Sequence, residues 1–224
     1  MPTEHTYFLE SIPVLPIEVS IVNSMPQLAR PTAAAQTPAM RDRPALLYLD
    51  VAVKVALVAL LAFGAFSGLQ QFEGKAFGGR LIAYPIAVLV LPVAWRAFAR
   101  PRSFPYLADA LITAPFLIDV LGNAADLYDT LDWWDDANHL FNWALLSGGA
   151  GLLVARTRIE AWQLAGLVIG FGAVSAIGWE LAEYVAFIRD SPELATAYED
   201  TLGDLALGTT GSVVAAVFVT RWGR

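Results

Sequence analysis

Cysteine is absent from the 224 residues. Disulfides, thiolate metal sites and cysteine nucleophiles are therefore excluded, and the redox compartment stays open. Charge is scarce: 16% of residues are Asp, Glu, Lys or Arg, against about 25% in soluble domains. With 57% hydrophobic residues and a mean hydropathy of +0.54, that shortage argues against a soluble fold. No basic, aromatic-interleaved patch points to nucleic acid. No glycine-rich stretch is followed by the lysine that a phosphate loop needs. Histidine is nearly absent, with only His5 and His139.

What is present is a series of long apolar runs after a different beginning. Residues 1–43 hold Pro13, Pro16, Pro26, Pro31 and Pro38 and the low-complexity stretch Thr32 to Thr37. No helical or strand period survives such a spacing of prolines. Met1 to Glu10 carries no Lys or Arg, so a secretory signal lacks its basic start. The expectation is a disordered tail over 1–43, with Met25 or Met40 as further candidate starts, and a membrane domain over 44–224. Six runs in that domain approach the about 20 residues needed to cross a bilayer: 46–66, 81–98, 105–126, 137–155, 162–186 and 201–220. Asp50 and Lys54 interrupt the first at a spacing that lets them pair or snorkel. Pro85 and Pro92 invite a kink in the second.

The basic residues orient these runs. Arg30, Arg41 and Arg43 precede the first; Arg96, Arg100 and Arg102 follow the second; Arg156 and Arg158 follow the fourth; Arg221 and Arg224 follow the sixth. In a six-span chain all four segments fall on one side. The expected fold is an all-α, polytopic bundle of about six transmembrane helices with both termini cytoplasmic. The expected location is the inner membrane.

The net charge of −7 is concentrated. Leu127 to His139 holds four acids, two tryptophans and a histidine between two apolar runs. Asp119, Asn123 and Asp126 share one helical face, as do Asp135, His139 and Asn142. Glu180 and Glu183 end the fifth run, and Asp200 and Asp204 begin the sixth. Four helices thus bring polar faces to the same outer third of the membrane. Burying a charge in lipid costs at least about 2.5 kcal/mol, so these groups should turn inward. The acids outnumber the available bases, His139 and Arg189. Crowded carboxylates must protonate, stay wet or bind a cation. One histidine with several carboxylates suits Zn or Mn, and an all-carboxylate subset suits Mg. The candidate metal ligands are His139, Glu180, Asp200 and Asp204, with Glu183 or Asp135 as general base. Asp135 is alternatively a partner that orients the His139 imidazole.

Blander roles exist for several of these residues. Asp129, Asp132 and Asp136 read as solvated loop acids, and Asp135 and Asp200 as helix N-caps. His139 by itself would serve as a hydrogen-bonded core histidine. Glu180 and Glu183 resist such readings, because a helix C-terminus disfavours negative charge. Small residues for close packing recur at Ser147 to Gly151, at Gly166, Gly170, Gly172 and Gly178, and at Gly203, Gly208, Gly211 and Ser212. Gly166 and Gly170 form a GxxxG pair. Trp133, Trp134, Trp143, Trp162, Trp179 and Trp222 lie near span ends, where an interfacial aromatic belt would sit.

Over the second half of the chain, Trp134-Asp135 with His139, Trp179-Glu180 with Glu183, Tyr198, Asp200-Thr201, Asp204 and Gly211 form a combination that resembles the YjdF-like family of uncharacterised bacterial inner-membrane proteins. A looser likeness is to VanZ-like proteins of the bacterial envelope, which also have an Asp four residues before a His and a late Asp followed by small residues. Here Asp136 stands where that family has a lysine, Glu183 lacks a glutamine at i+3, and Gly208 replaces an asparagine. The resemblance supports the site residues without naming a reaction. The expected partners are the bilayer and a lipid head group or envelope precursor, with oligomeric state open. The competing functions are a proton- or cation-coupled transporter, whose relay would need polar groups toward the cytoplasmic face, and a non-catalytic membrane subunit.

Overall fold

The computed structural model describes residues 44–99, 103–186 and 188–223, all within a unit that begins at Asp42. The tail expected over 1–43 lies outside the described residues. Long apolar segments leave the backbone no partner but itself, and a helix satisfies every N–H and C=O within one segment. The described residues accordingly form helices and turns, with no strand among them. The helices are α1 (Pro44–Phe66), α2 (Phe77–Phe98), α3 (Tyr106–Ala124), the one-turn α4 (Leu127–Thr130), α5 (Trp134–Val154), α6 (Ala161–Ala186) and α7 (Ala197–Trp222). Pro85 and Pro92 lie inside α2 without ending it.

Five of these, α1, α2, α3, α6 and α7, are long and apolar enough to cross a membrane. The six runs read from the sequence are all present, and α5 is the sixth. Its first turns carry Trp134, Asp135, Asp136, Asn138 and His139, which lowers its apolar character. The packing shows why this is tolerated. Buried positions recur along α5 at Asn138, His139, Trp143, Ser147, Gly148, Gly149 and Gly151, because α3, α6 and α7 surround it.

Contacts between small residues fix the register in layers. Near one end, His139, Glu180 and Asp204 converge. One level along, Ser147 Oγ and Ser212 Oγ are hydrogen-bonded at 2.9 Å, and both occupy the space a Cβ on Gly172 would need. At the next level, a Cβ on Gly151 would press on Val168 and Val219. Ascending numbers on α5 therefore meet ascending numbers on α7 and descending numbers on α6. The helices α5 and α7 run parallel, with α6 antiparallel to both. On the other side of α5, Gly149 lies against Ala108 and Ile112 of α3, and Gly122 of α3 against Trp134, so α3 is also antiparallel to α5.

A second group packs α1 and α2 onto α3 through buried Leu57, Leu61, Phe72, Phe77, Tyr84, Val88 and Val120. At the end opposite His139, Lys54 of α1 binds both Asp50 and the fully buried Asp109 of α3. The i,i+4 pair read from the sequence is thus part of a three-residue cluster. Arg156, after α5, stacks on Trp95 of α2 at that same end, and Arg96 and Arg221 lie in the last turns of α2 and α7.

Several expectations are corrected. Asp135 and Asp200 are not N-caps; Trp133 and Thr196 hold those positions, and the two acids lie in the first turns of α5 and α7. Asp126 adopts a left-handed conformation, φ 58°, outside α3, which breaks the stripe drawn through Asp119 and Asn123. A Cβ at Gly166 or Gly170 would meet nothing within 4 Å, so the GxxxG pair faces outward and the close approaches are made by Gly151, Gly172, Gly208 and Gly211. Trp133, Trp162 and Trp222 are exposed as a belt requires, but Trp143 is buried against Gly208, and Trp134 sits against Gly122 and Tyr128.

These contacts separate two glycines of one chemistry. A Cβ at Gly211 would run into the backbone carbonyl of Leu140 and stand 3.0 Å from the Ala144 nitrogen, so Gly211→Ala must push α5 and α7 apart. Overpacking costs about 1–3 kcal/mol, whereas Gly166→Ala on an open helix face gains about 0.5–1 kcal/mol of helix propensity. Thermal unfolding in detergent should show a clear drop for Gly211→Ala and no drop for Gly166→Ala.

Candidate functional site

At the Glu180 end of the bundle, α3, α5, α6 and α7 stop short of closing on one another. The gap is a cavity of about 400 Å³. Its rim is made of exposed Gly74, Asp129, Glu193 and Asp200, and its depth reaches Pro115, Trp143 and Leu146. One wall carries Asp135, His139, Glu183 and Asp204; the facing wall carries Lys75, Arg80, Tyr84, Asp119 and Tyr128.

The first wall follows from helical spacing. Asp135 and His139 are one turn apart on α5, Glu180 and Glu183 share a face of α6, and Asp200 and Asp204 are one turn apart on α7. His139 and Asp204 are buried, and Glu180 lies behind the cavity with 6% of its surface exposed. His139 Nδ1 faces Glu180 Oε1 at 3.7 Å. His139 Nε2 faces Asp204 Oδ1 at 3.6 Å and Asp135 Oδ1 at 3.8 Å. All three separations exceed hydrogen-bonding range. Both Nδ1 and Glu180 Oε1 are buried with no hydrogen-bond partner among the described residues, as is Asn142 Oδ1 nearby. Buried polar atoms are rarely left so.

Two sets of ligand atoms lie close enough together to hold a cation: Asp135, His139 and Asp204, and separately His139, Glu180 and Glu183. The four residues put forward as metal ligands from the sequence are therefore distributed. Glu180 and Asp204 stand on opposite sides of one imidazole, and Asp200 is an exposed cavity residue in neither set. Asp135 and Glu183, put forward as bases, belong one to each set. Asp129, Asp132 and Asp136 are exposed as expected, but only Asp132 lies in a turn; Asp129 is in α4 and Asp136 in the first turn of α5. Arg189, counted as a compensating base, pairs with its neighbour Asp190 at 3.0 Å.

On the facing wall the sequence reading found Asp119 and Asn123 but missed Arg80, Tyr84 and Tyr128. Arg80 pairs with Asp119, and Tyr84 and Tyr128 donate to the same carboxylate at 2.6 and 3.1 Å. The Asn123 amide donates to it at 3.2 Å. Asp119 is thus a saturated hub joining α2, α3 and α4. Burial and then the Asp119 charge push the Tyr128 phenol far above its ordinary range, so it remains a donor. At the rim, Lys75 binds Asp129 at 2.6 Å and holds that carboxyl below its usual value. A usable signal was present: Arg80 and Tyr84 are one turn apart at the start of α2, on the end away from the other arginines.

A bundle of apolar helices with a polar cavity at one end and a polar core residue from each converging helix defines an α-helical, multi-pass membrane protein. Residues 52–224 match the model of the family described as Predicted membrane protein (DUF2238), and the chain belongs to that family. No curated protein and no solved structure matches it.

The Asp119 hub makes its own forecast. Removing one partner of a buried pair costs about 3–5 kcal/mol, because the other charge is stranded. Arg80→Met should lower thermal stability sharply. Arg80→Met combined with Asp119→Asn should recover much of the loss, since the phenols and Asn123 can still bond a neutral amide. Equal losses in the single and double variants would contradict the pairing.

Proposed function

We propose that this protein is an inner-membrane protein that binds a divalent cation at His139, within the carboxylates Asp135, Glu180, Glu183 and Asp204, and acts there on a lipid head group or envelope precursor. One observation carries the reading: a buried histidine stands 3.6–3.8 Å from three carboxylate oxygens and bonds to none of them. Such gaps are too long for hydrogen bonds. They are close to the about 3.4 Å that separates two ligand atoms each about 2.1 Å from one tetrahedral ion. A mixed imidazole and carboxylate set suits Zn or Mn, and Mg where carboxylates dominate.

The cavity supports an amphiphilic substrate. Its rim is polar, while Pro115, Phe116, Leu146 and Trp179 line its interior. Arg80 and Lys75 on the facing wall are paired with Asp119 and Asp129, so the attraction for an anionic head group would come from the bound cation. The excess of arginine at the other end of the bundle supports an extracytoplasmic mouth by the positive-inside rule. When bound, the ion would polarise a carbonyl or phosphoryl oxygen of the substrate. The protein's own residues would orient the head group and accept a proton at Glu183 or Asp135, both of which face the cavity. The likeness to YjdF-like proteins agrees with this location and names no reaction.

A cation- or proton-coupled transporter is the second reading, and one observation favours it. Asp50, Lys54 and Asp109 form a buried ionic cluster at the opposite end, the kind of group a relay across the bundle would need. Flux in proteoliposomes that Glu180→Gln abolishes would favour it over the enzyme.

Equilibrium dialysis against Zn²⁺ tests the first reading. The wild-type protein should retain the ion and His139→Ala/Glu180→Ala should not. Absence of bound ion from the wild type would sink the proposal.

A further inference from the structure

Four carboxylates around one imidazole are more than one divalent ion neutralises. Asp135, Glu180, Glu183 and Asp204 together carry four negative charges when ionised, so a single ion would leave two uncompensated; Glu180 and Asp204 are buried, and Asp135 and Glu183 are partly so. Carboxylates left that way must protonate, stay wet or take up a second ion, and geometry favours the second ion. The arrangement of these acids is also divided. Asp135 and Asp204 are on the Nε2 side of His139, and Glu180 is on the Nδ1 side with Glu183 in its ligand set. No single ion can use both ring nitrogens, because the two lone pairs diverge in the ring plane.

We infer that the site is binuclear, with the His139 imidazole bridging one divalent ion held by Asp135 and Asp204 and a second held by Glu180 and Glu183. This rests on the cation-binding reading above and extends it. Three observations support it independently of charge. His139 Nδ1 and Glu180 Oε1 face each other buried and unpartnered. Each set offers three ligand atoms within 4.8 Å of one another. The sets share only His139, and they come from different pairs of helices: α5 with α7, and α5 with α6. Paired carboxylates from facing helices are how bundles build two-ion sites.

The proton balance is simple. A neutral imidazole has one lone pair and one N–H; seating a second ion releases that proton to solvent and leaves an imidazolate between the two cations. Two ions then bring the four carboxylates and the imidazolate to a net charge of −1. Both acids proposed as bases become ligands, and the base role passes to Asp200, the cavity carboxylate outside both sets.

The test is the stoichiometry of the full-length protein, purified in detergent, stripped with chelator and dialysed against Zn²⁺, with metal and protein quantified together. The inference expects two ions per chain in the wild type. It expects one in Asp135→Asn/Asp204→Asn and one in Glu180→Gln/Glu183→Gln. The amide replacements are isosteric, which spares the packing. Loading the wild type with Mn²⁺ gives a check that needs no variant: two ions sharing an imidazolate produce a spin-coupled resonance spectrum, and isolated ions produce the simple six-line pattern. One ion per chain with the six-line pattern overturns the binuclear site and leaves the cation reading standing. No ion at all overturns both.

Discussion

Carboxylates in an apolar bundle must be compensated, and this constraint accounts for more of the structure than any other interaction. For two of the three groups of acids in the bundle a cationic partner is supplied, and the partners differ by location. Asp50 and Asp109 share Lys54. Asp119 draws in Arg80, two phenols and an amide. Both clusters tie α1 or α2 onto α3, so charge compensation also fixes which helices are neighbours. The third group, around His139, differs: its facing oxygens stand too far from the imidazole to bond it, and both His139 Nδ1 and Glu180 Oε1 are buried without a partner. The proposed cation would complete this group, as Lys54 and Arg80 complete the other two.

Small residues determine that this third group is a cluster and not four separate acids. Gly172 yields its space to the Ser147–Ser212 hydrogen bond. Gly151 admits Val168 and Val219, and Gly211 lets α7 lie directly on the Leu140 carbonyl. These contacts bring α5, α6 and α7 close together one and two levels below the site. The same register that interlocks glycine with serine sets His139, Glu180 and Asp204 level with one another. In a bilayer the hydrophobic effect gives helices no reason to associate, so close packing of this kind supplies the attraction. At the cavity the bulky Trp143, Trp179 and Tyr128 take part in the lining.

The spans were legible because length and apolar character suffice to reveal them, and α5 could be read despite its polar start because its neighbours alternate in direction. One wall of the cavity was legible too. Asp135 with His139, Glu180 with Glu183 and Asp200 with Asp204 sit one turn apart, and helical spacing alone puts each pair on one face. On the other wall Asp119 and Asn123 were read as one polar face, but the partner Arg80 was hidden by a boundary error. With the second run starting at 81, Arg80 reads as a loop residue; α2 begins at Phe77, which places Arg80 inside the helix one turn before Tyr84. The GxxxG pair misled for a different reason. Gly166 and Gly170 show that one face of α6 is smooth, but which face meets a neighbour depends on the partner helix, and α6 instead turned Gly172 inward. Likewise, i,i+4 spacing says nothing of whether Glu180 and Asp204 approach the same nitrogen of His139, since that depends on the ring's rotation.

The central claim is that the carboxylates around His139 are held apart by a cation and not by one another. Diffraction from crystals grown with Zn²⁺, recorded on both sides of the zinc absorption edge, tests it most directly. The account predicts anomalous density within about 2.0–2.2 Å of a His139 ring nitrogen and of its facing carboxylate oxygens. It would be contradicted by an anomalous map with no peak among α5, α6 and α7, together with acids drawn in to hydrogen-bond His139 or one another.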